Sequence, residues 1–392
     1  MMLNYEQRKF WILVIIVSIS GFSQGMLMPL ISVIFETDGV SSALNGLNAT
    51  GIYIGTLLIS PFIEQPLRKY GYKPVIITGG ALVFVSLFLF PFWKSVIFWF
   101  ILRMLIGIGD HALHFSTQTW ITSDAEKGNI GKSMSIYGLS FGIGFAVGPL
   151  FVPLIEFSEV LPFVISSALC LTAWSLVFLV KNDKPEALTG DANKSGWSRY
   201  RLAFKYGWIA FLPPFTYGFL ESSLNALFPV YALRMDFGVS FVSISLATFS
   251  IGAIITQIPL GMLGDRIGRS NVIMGGLLLG TILFFIGSQL EHSATAVTVS
   301  FALAGMSVGS LFSMGITYMT DLTPKELLPT GNLLCGIFFS LGSLSGPIFG
   351  GYYLQVAQGI SFLLLIAGVL FAVLCTNVFY RKASSKKFAA GR

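Results

Sequence analysis

Long apolar runs separated by short polar breaks dominate the chain. A helix needs about 20 residues to cross the ~30 Å hydrocarbon core of a bilayer. Twelve runs of that kind are predicted, at 10–35, 46–66, 74–93, 96–120, 131–155, 159–181, 206–233, 238–263, 271–290, 294–319, 330–354 and 358–380. The pattern divides the chain into a six-helix half (1–181), a polar linker (182–205), a second six-helix half (206–380) and a basic tail (381–392). Some runs contain helix breakers such as Pro213-Pro214, which membrane helices tolerate where neighbours satisfy the freed backbone groups. The first run exceeds a signal-peptide core and lacks a small-residue cleavage site, so it is expected to remain as the first span.

Composition fixes the class. The chain is 54% hydrophobic and 11% charged, against about 25% charged residues in soluble domains. Outer-membrane barrels show segments of alternating polarity, and none occur here. The expected fold class is an all-α polytopic membrane protein. Cys170, Cys335 and Cys375 fall in apolar runs at unrelated spacings and read as small buried hydrophobes, with neither disulfide nor metal expected.

The net charge of +6 is a topology signal. Of 24 Lys and Arg residues, 21 fall on one side of the twelve-span arrangement. Lys94 and Arg234 lie on the other side, and Arg103 is within a span. Basic residues flank spans on the cytoplasmic side, so both termini are expected in the cytoplasm and no nucleic-acid partner is needed.

The halves repeat. Gly138, Gly144, Gly148 and Pro149 in the fifth span recur as Gly336, Gly342, Gly346 and Pro347 in the eleventh, all displaced by 198 residues. Pro61, Gly71 and Gly79-Gly80 likewise match Pro259, Gly268 and Gly275-Gly276 at offsets of 196 to 198. Paired six-helix halves with a binding site between them are a main transporter architecture.

On these residues the chain resembles the major facilitator superfamily over essentially its whole length. The family's loop motif, G-x-x-x-D-R-x-G-R-K, is matched by Gly261, Asp265, Arg266, Gly268 and Arg269, while the first-half copy, Glu64 to Lys73, lacks the aspartate. The fourth-span motif, R-x-x-Q-G-x-G, is matched by Arg103, Gly107 and Gly109, with Ile106 in place of the glutamine. The antiporter motif, G-x-x-x-G-P-x-x-G-G, is partial at Gly144, Gly148 and Pro149 and complete at Gly342, Gly346, Pro347, Gly350 and Gly351. Within the superfamily this is most similar to the drug:proton antiporter branch. The resemblance implies the twelve-helix fold and a central cavity lined by spans 1, 4, 7 and 10. For the loop charges a conformational latch stands beside plain positive-inside anchoring. For the glycines and prolines, gating stands beside close helix packing.

Chemistry concentrates in the fourth span. Arg103, Gly107, Asp110, His114 and Gln118 share one helical face, with His111 just off it. A charge at the bilayer centre costs about 3 kcal/mol or more, so it needs a partner, water or a purpose. The other intramembrane charge is Glu221, in the seventh span. Helical rise sets Arg103 and Glu221 at similar depths, which suggests that they face each other across the halves.

Proton coupling needs groups whose charge responds to their surroundings, and carboxylates and histidines qualify. Asp110, Glu221, His114 and His111 are the candidates. A structural ion pair for Asp110, and neutral hydrogen-bonded packing for the histidines, are the plain alternatives. Arg103, Gln24, Tyr217, Asn225, Met306 and Tyr318 are candidate substrate contacts, with core or lipid packing the alternative, chiefly for Met306 and the neighbouring Met314. His111 and His114 beside Asp110 have no further ligand set, so no metal site is expected.

No phosphate-binding loop and no nucleophile–base pair occur, so neither ATP-driven transport nor an enzyme is indicated. The expected protein is a cofactor-free, monomeric secondary transporter of the inner cell membrane, exporting amphiphilic or drug-like molecules in exchange for protons. Uptake of a small metabolite, translocation of a lipid-like substrate, and a transporter-like sensor remain as alternatives.

Overall fold

The computed structural model describes residues 5–124, 130–185, 196–357 and 359–390. Lys127, Lys194, Arg392 and residues 186–195 of the expected linker lie outside these. The chain divides into two units, Met1–Gly190 and Asp191–Arg392, the boundary falling within the expected linker.

Unit 1 holds six helical elements. α1 is Tyr5–Thr37, and α2 comprises Ser42–Ala49, Gly51–Ile59 and Glu64–Tyr70. α3 is Tyr72–Leu89 and α4 is Val96–Asp124. α5 is Ile130–Val147, continued as a tighter 3-10 helix over Gly148–Glu156, and α6 is Leu161–Ser175. In unit 2, α7 is Gly196–Arg234, α8 is Val239–Ile267 and α9 is Arg269–Gln289. α10 comprises Ala294–Val308 and Leu311–Leu322, α11 is Leu328–Val356, and α12 is Phe362–Ala390.

Among the described residues ten helices are long and apolar enough to cross a membrane, and the bent α2 makes an eleventh. The remaining one, α7, is 39 residues long, but Pro213, Pro214, Tyr217, Glu221 and Asn225 dilute its apolar character. Ile97, Ile258, Phe349 and Phe371 are among many large apolar side chains left exposed, far more than a water-facing surface carries in one patch.

Several boundaries differ from the sequence expectation for local reasons. α2 bends by 58° after Ile59, where Pro61 removes a backbone donor. Pro149 and Pro153 delete two donors one turn apart, and α5 tightens into the 3-10 form there. Pro347, the one interior proline of α11, leaves that helix unbroken. α10 is interrupted at Gly309-Ser310. α7 begins ten residues earlier than the apolar pattern, and α12 runs through most of the expected tail.

The units repeat the same packing. In unit 1, α1 packs on α5, α4 on α2 and α3, and α3 on α6. In unit 2, α7 packs on α11, α10 on α8 and α9, and α9 on α12. Glycines make the tightest of these contacts. A side chain at Gly144 would strike the carbonyl of Ser18, and one at Gly342 would strike the carbonyl of Phe215, the repeat-equivalent residue. Gly107 against Ile52 and Gly305 against Phe249 form a second matched pair. Gly71 and Gly268 hold φ of +95° and +91° at the equivalent turns, a region that favours glycine.

One core cluster in unit 1 is built from Leu13, Ile16, Val17, Ile76, Leu113, Trp120 and Val177. In unit 2, Ala210, Phe211, Met319 and Cys335 form a counterpart between α7, α10 and α11.

Candidate functional site

The polar face of α4 turns inward at Arg103 and Asp110, whereas Gln118 at its far end is exposed. Arg103 is 0% exposed and Asp110 is 5% exposed. Asp110 accepts hydrogen bonds from Ser20 Oγ and from Gln24 Nε2, donors spaced one turn apart on α1. His114, one turn beyond Asp110, has Nε2 2.9 Å from Ser20 Oγ and 3.7 Å from Asp110 Oδ1. Its Nδ1 lies 2.5 Å from the hydroxyl of Tyr137 on α5.

With His114 neutral, the contacts fit the following hydrogen arrangement. Ser20 has a single hydrogen and gives it to Asp110, so it accepts from His114 Nε2–H. Nδ1 of the neutral ring then accepts from Tyr137. The result is a directed series, Tyr137 to His114 to Ser20 to Asp110, spanning α5, α4 and α1. A small cavity lined by Ser20, Asp110, Leu113, Cys170 and Trp174 lies beside the carboxyl. Ser23 and Ser166, 3.0 Å apart, tie α1 to α6 next to it.

The other candidates on α4 separate from this cluster. His111 Nε2 is 3.1 Å from Ser60 Oγ, and its ring stacks on Phe115, so it belongs to the α2–α4 contact. The three guanidinium nitrogens of Arg103 have no hydrogen-bond partner among the described residues. Ser20 and Tyr137 escaped sequence reasoning. Ser20 was legible as the residue one turn before Gln24 on the same face, whereas Tyr137 gives no such signal.

In unit 2, Glu221 is half-buried on α7, and Asn225 Nδ2 donates to its backbone carbonyl at 2.9 Å. The ring of Tyr217 stacks on Phe339. The repeat aligns Ser20 with Tyr217 and Gln24 with Glu221, each displaced by 197, while Asp110 aligns with Val308. The acidic group has thus moved from the fourth helix of one half to the first helix of the other. Met306 is 38% exposed and Met314 is buried, on the two pieces of α10. Tyr318 is half-buried next to them.

The comparisons with known proteins match this architecture. The model of the Major Facilitator Superfamily matches residues 13–247 and 215–391, which together span both units. The chain belongs to the Major Facilitator Superfamily. It is 54% identical over 365 residues to the uncharacterized MFS-type transporter YfkF of Bacillus subtilis (strain 168), covering 93% of each chain. It is 26% identical to multidrug resistance protein 1 of the same organism, covering 85% of this chain and 86% of that one. Identity to the proton-coupled antiporter flippase LtaA of Staphylococcus aureus (strain MSSA476) is also 26%, covering 96% and 95%. The solved structure of the nucleoside transporter NupG superposes with a TM-score of 0.77 at 15% identity, covering 96% of this chain and 98% of that one. That likeness is one of fold.

The superfamily's loop motif has a different physical form in each half. In unit 2, Arg269 pairs with Asp265 at 3.1 Å and with Asp321 at 2.5 Å, and it donates to the Thr317 carbonyl at 2.9 Å. Arg266 points outward and is exposed. In unit 1 the repeat puts Tyr72 at the Arg269 position and Ser123 at the Asp321 position. There Tyr72 stacks on Trp120 at 5.2 Å and reaches Ser123 Oγ at 3.4 Å. Lys9 supplies the ionic tie instead, at 2.7 Å from both Glu6 and Asp124 and 3.3 Å from Asp183. The antiporter-motif glycines are packing surfaces: Gly148 lies against Phe22 and Met26, and Gly346 lies against Phe219, Ser222 and Ser223.

Proposed function

We propose that this superfamily member is a proton-coupled antiporter that exports amphiphilic, drug-like molecules across the cell membrane by alternating access. The observation that carries the reading is the buried Asp110 carboxyl at the end of the Tyr137–His114–Ser20 series. A buried carboxyl with reversible hydroxyl and imidazole partners can take up a proton in one conformation and release it in another. The names of two distant relatives, a multidrug resistance protein and a proton-coupled antiporter flippase, support the direction and the coupling ion.

In this reading Asp110 is the principal proton carrier, His114 its relay, and Glu221 a second proton-binding carboxyl. Gln24, Tyr217, Asn225, Met306 and Tyr318 contact the substrate. The protein works as a monomer with both termini in the cytoplasm. Proton and substrate must bind the two conformations with different affinity, because equal affinity couples nothing.

The test is transport into inverted vesicles over a panel of cationic, neutral and anionic substrates, with and without an imposed pH gradient. Accumulation that requires an acidic lumen is the expected result. Flux indifferent to the gradient rejects the proton, and accumulation confined to right-side-out vesicles rejects export.

A further inference from the structure

Arg103 poses a separate problem. Its side chain is completely buried, yet Nε, Nη1 and Nη2 all lack a hydrogen-bond partner among the described residues. A guanidinium stays charged and presents five donors, so burying it alone is among the costliest arrangements a protein can hold. Rotation of α4 does not relieve it. The α2–α4 contact is locked on both sides of the residue: Gly51 sits against the Phe100 carbonyl and Arg103 Cβ, and Gly107 sits against Ile52.

The neighbouring groups do not neutralise it. Asp110 lies seven residues further along the same face, about 10 Å by helical rise, and its carboxyl is occupied by Ser20 and Gln24. Asn48, on the facing α2, spends its amide on the Val96 carbonyl, and its own oxygen has no partner among the described residues. Tyr53 on α2 acts on the guanidinium electrostatically, but a phenol brings no negative charge at neutral pH. The missing complement is therefore an oxyanion, which the planar fork of a guanidinium receives through two parallel hydrogen bonds.

We infer that Arg103 is the anion-binding group of this transporter, and that the transported molecule carries a carboxylate or phosphate which its guanidinium holds. This rests on the reading of the chain as a small-molecule transporter and holds whichever ion drives it. It narrows the substrate class to amphiphiles with an acidic head group. The anion site and the proton site are two turns apart on one helix, so each can be removed without the other.

The experiment measures ligand-induced thermal stabilisation of the full chain in lipid nanodiscs. The probes share one chain length: octyl phosphate, octanoate, octyltrimethylammonium and octyl glucoside. The anionic pair is expected to stabilise the wild type more than the other two, and the stronger of the pair names the head group. Arg103→Gln should weaken anion binding by about tenfold or more, the scale of ~1.4 kcal/mol, and leave the cationic and neutral probes unchanged. Without ligand it should melt at or above the wild type, because a residue with a merely structural role would lower the melting point. Arg103→Lys, which keeps the charge without the fork, should retain part of the anion response. The melting measurement imposes no pH gradient, so a failure of proton coupling in vesicles is read independently. A cationic probe that outperforms both anions, or an Arg103→Gln protein that binds anions like the wild type, overturns the proposal.

Discussion

Arg269 Nη1 lies 2.5 Å from Asp321 Oδ1, joining the turn between α8 and α9 to the C-terminal end of α10. The equivalent place in unit 1 is held by Tyr72 stacked on Trp120. The two halves thus fasten the same turn by different chemistry. Asp321 is 48% exposed, so screening limits its pair to about 0.2–1 kcal/mol, whereas Tyr72 is 1% exposed and its loss leaves a cavity. Asp321→Asn should lower stability by less than ~1 kcal/mol and reduce transport in a salt-dependent manner. Tyr72→Ala should cost about 3–5 kcal/mol with no salt dependence. Thermal melts at low and high ionic strength separate the two.

Asp110→Asn retains the shape of the side chain and one of the two oxygens that accept from Ser20 and Gln24, but cannot exchange a proton. Gradient-driven flux should fall by at least about tenfold, ~1.4 kcal/mol in the driven step, while exchange of labelled for unlabelled substrate without a gradient continues. Equal loss of both activities would mean that Asp110 only supports the fold.

Tyr137→Phe removes the hydroxyl that His114 Nδ1 contacts at 2.5 Å and leaves the ring in place. A buried partner removed in this way costs about 1–3 kcal/mol. Proton-coupled flux should fall and its pH profile should shift, whereas His111→Gln, in the α2 contact at Ser60, should leave the profile where it is. A pH titration of initial rates in vesicles compares the two variants.

The repeated glycines divide into two kinds. Gly144 and Gly342 face backbone carbonyls, whereas a side chain at Gly138 or Gly336 would meet nothing within 4 Å. Gly144→Ala and Gly342→Ala should each cost about 1–3 kcal/mol by overpacking. Gly138→Ala and Gly336→Ala should be neutral or gain up to about 1 kcal/mol from helix propensity. Melting temperatures of the four purified variants provide the check.

Lys94 is clamped between Asp38 and Glu159, at 2.8 and 2.9 Å. Partial burial works against its charge, but the two carboxylates outweigh that and hold the ammonium above the ordinary lysine range. A raised lysine contributes stability that is complete below its unfolded value and is lost as pH rises through the folded one. Lys94→Met should therefore show the same small loss, under ~1 kcal/mol for so exposed a pair, at pH 6 and 8, and the difference should begin to shrink only above the ordinary lysine value of about 10.4. Melting curves across that range test it.

Much of this protein was legible along the chain. Apolar length alone fixes membrane helices, because lipid leaves the backbone no other partner, and the 198-residue offset of Gly144 and Gly342 exposed the two halves. The helical spacing of Arg103, Asp110 and His114 put them on one face before any packing was known, since that spacing depends only on residues per turn.

Tertiary structure decided which of these residues meet. Ser20 and Tyr137 join Asp110 and His114 from helices 90 and 23 positions away in sequence, a distance no local period encodes. His111 is drawn off to Ser60 by the turn of α4 against α2. Arg103, adjacent in pattern to Asp110, has no hydrogen-bond partner among the described residues because two glycine contacts fix the rotation of its helix. The sequence by itself determined that charge enters the membrane. Only the packing of α1, α2 and α5 around α4 decided which charge is satisfied and which is left open.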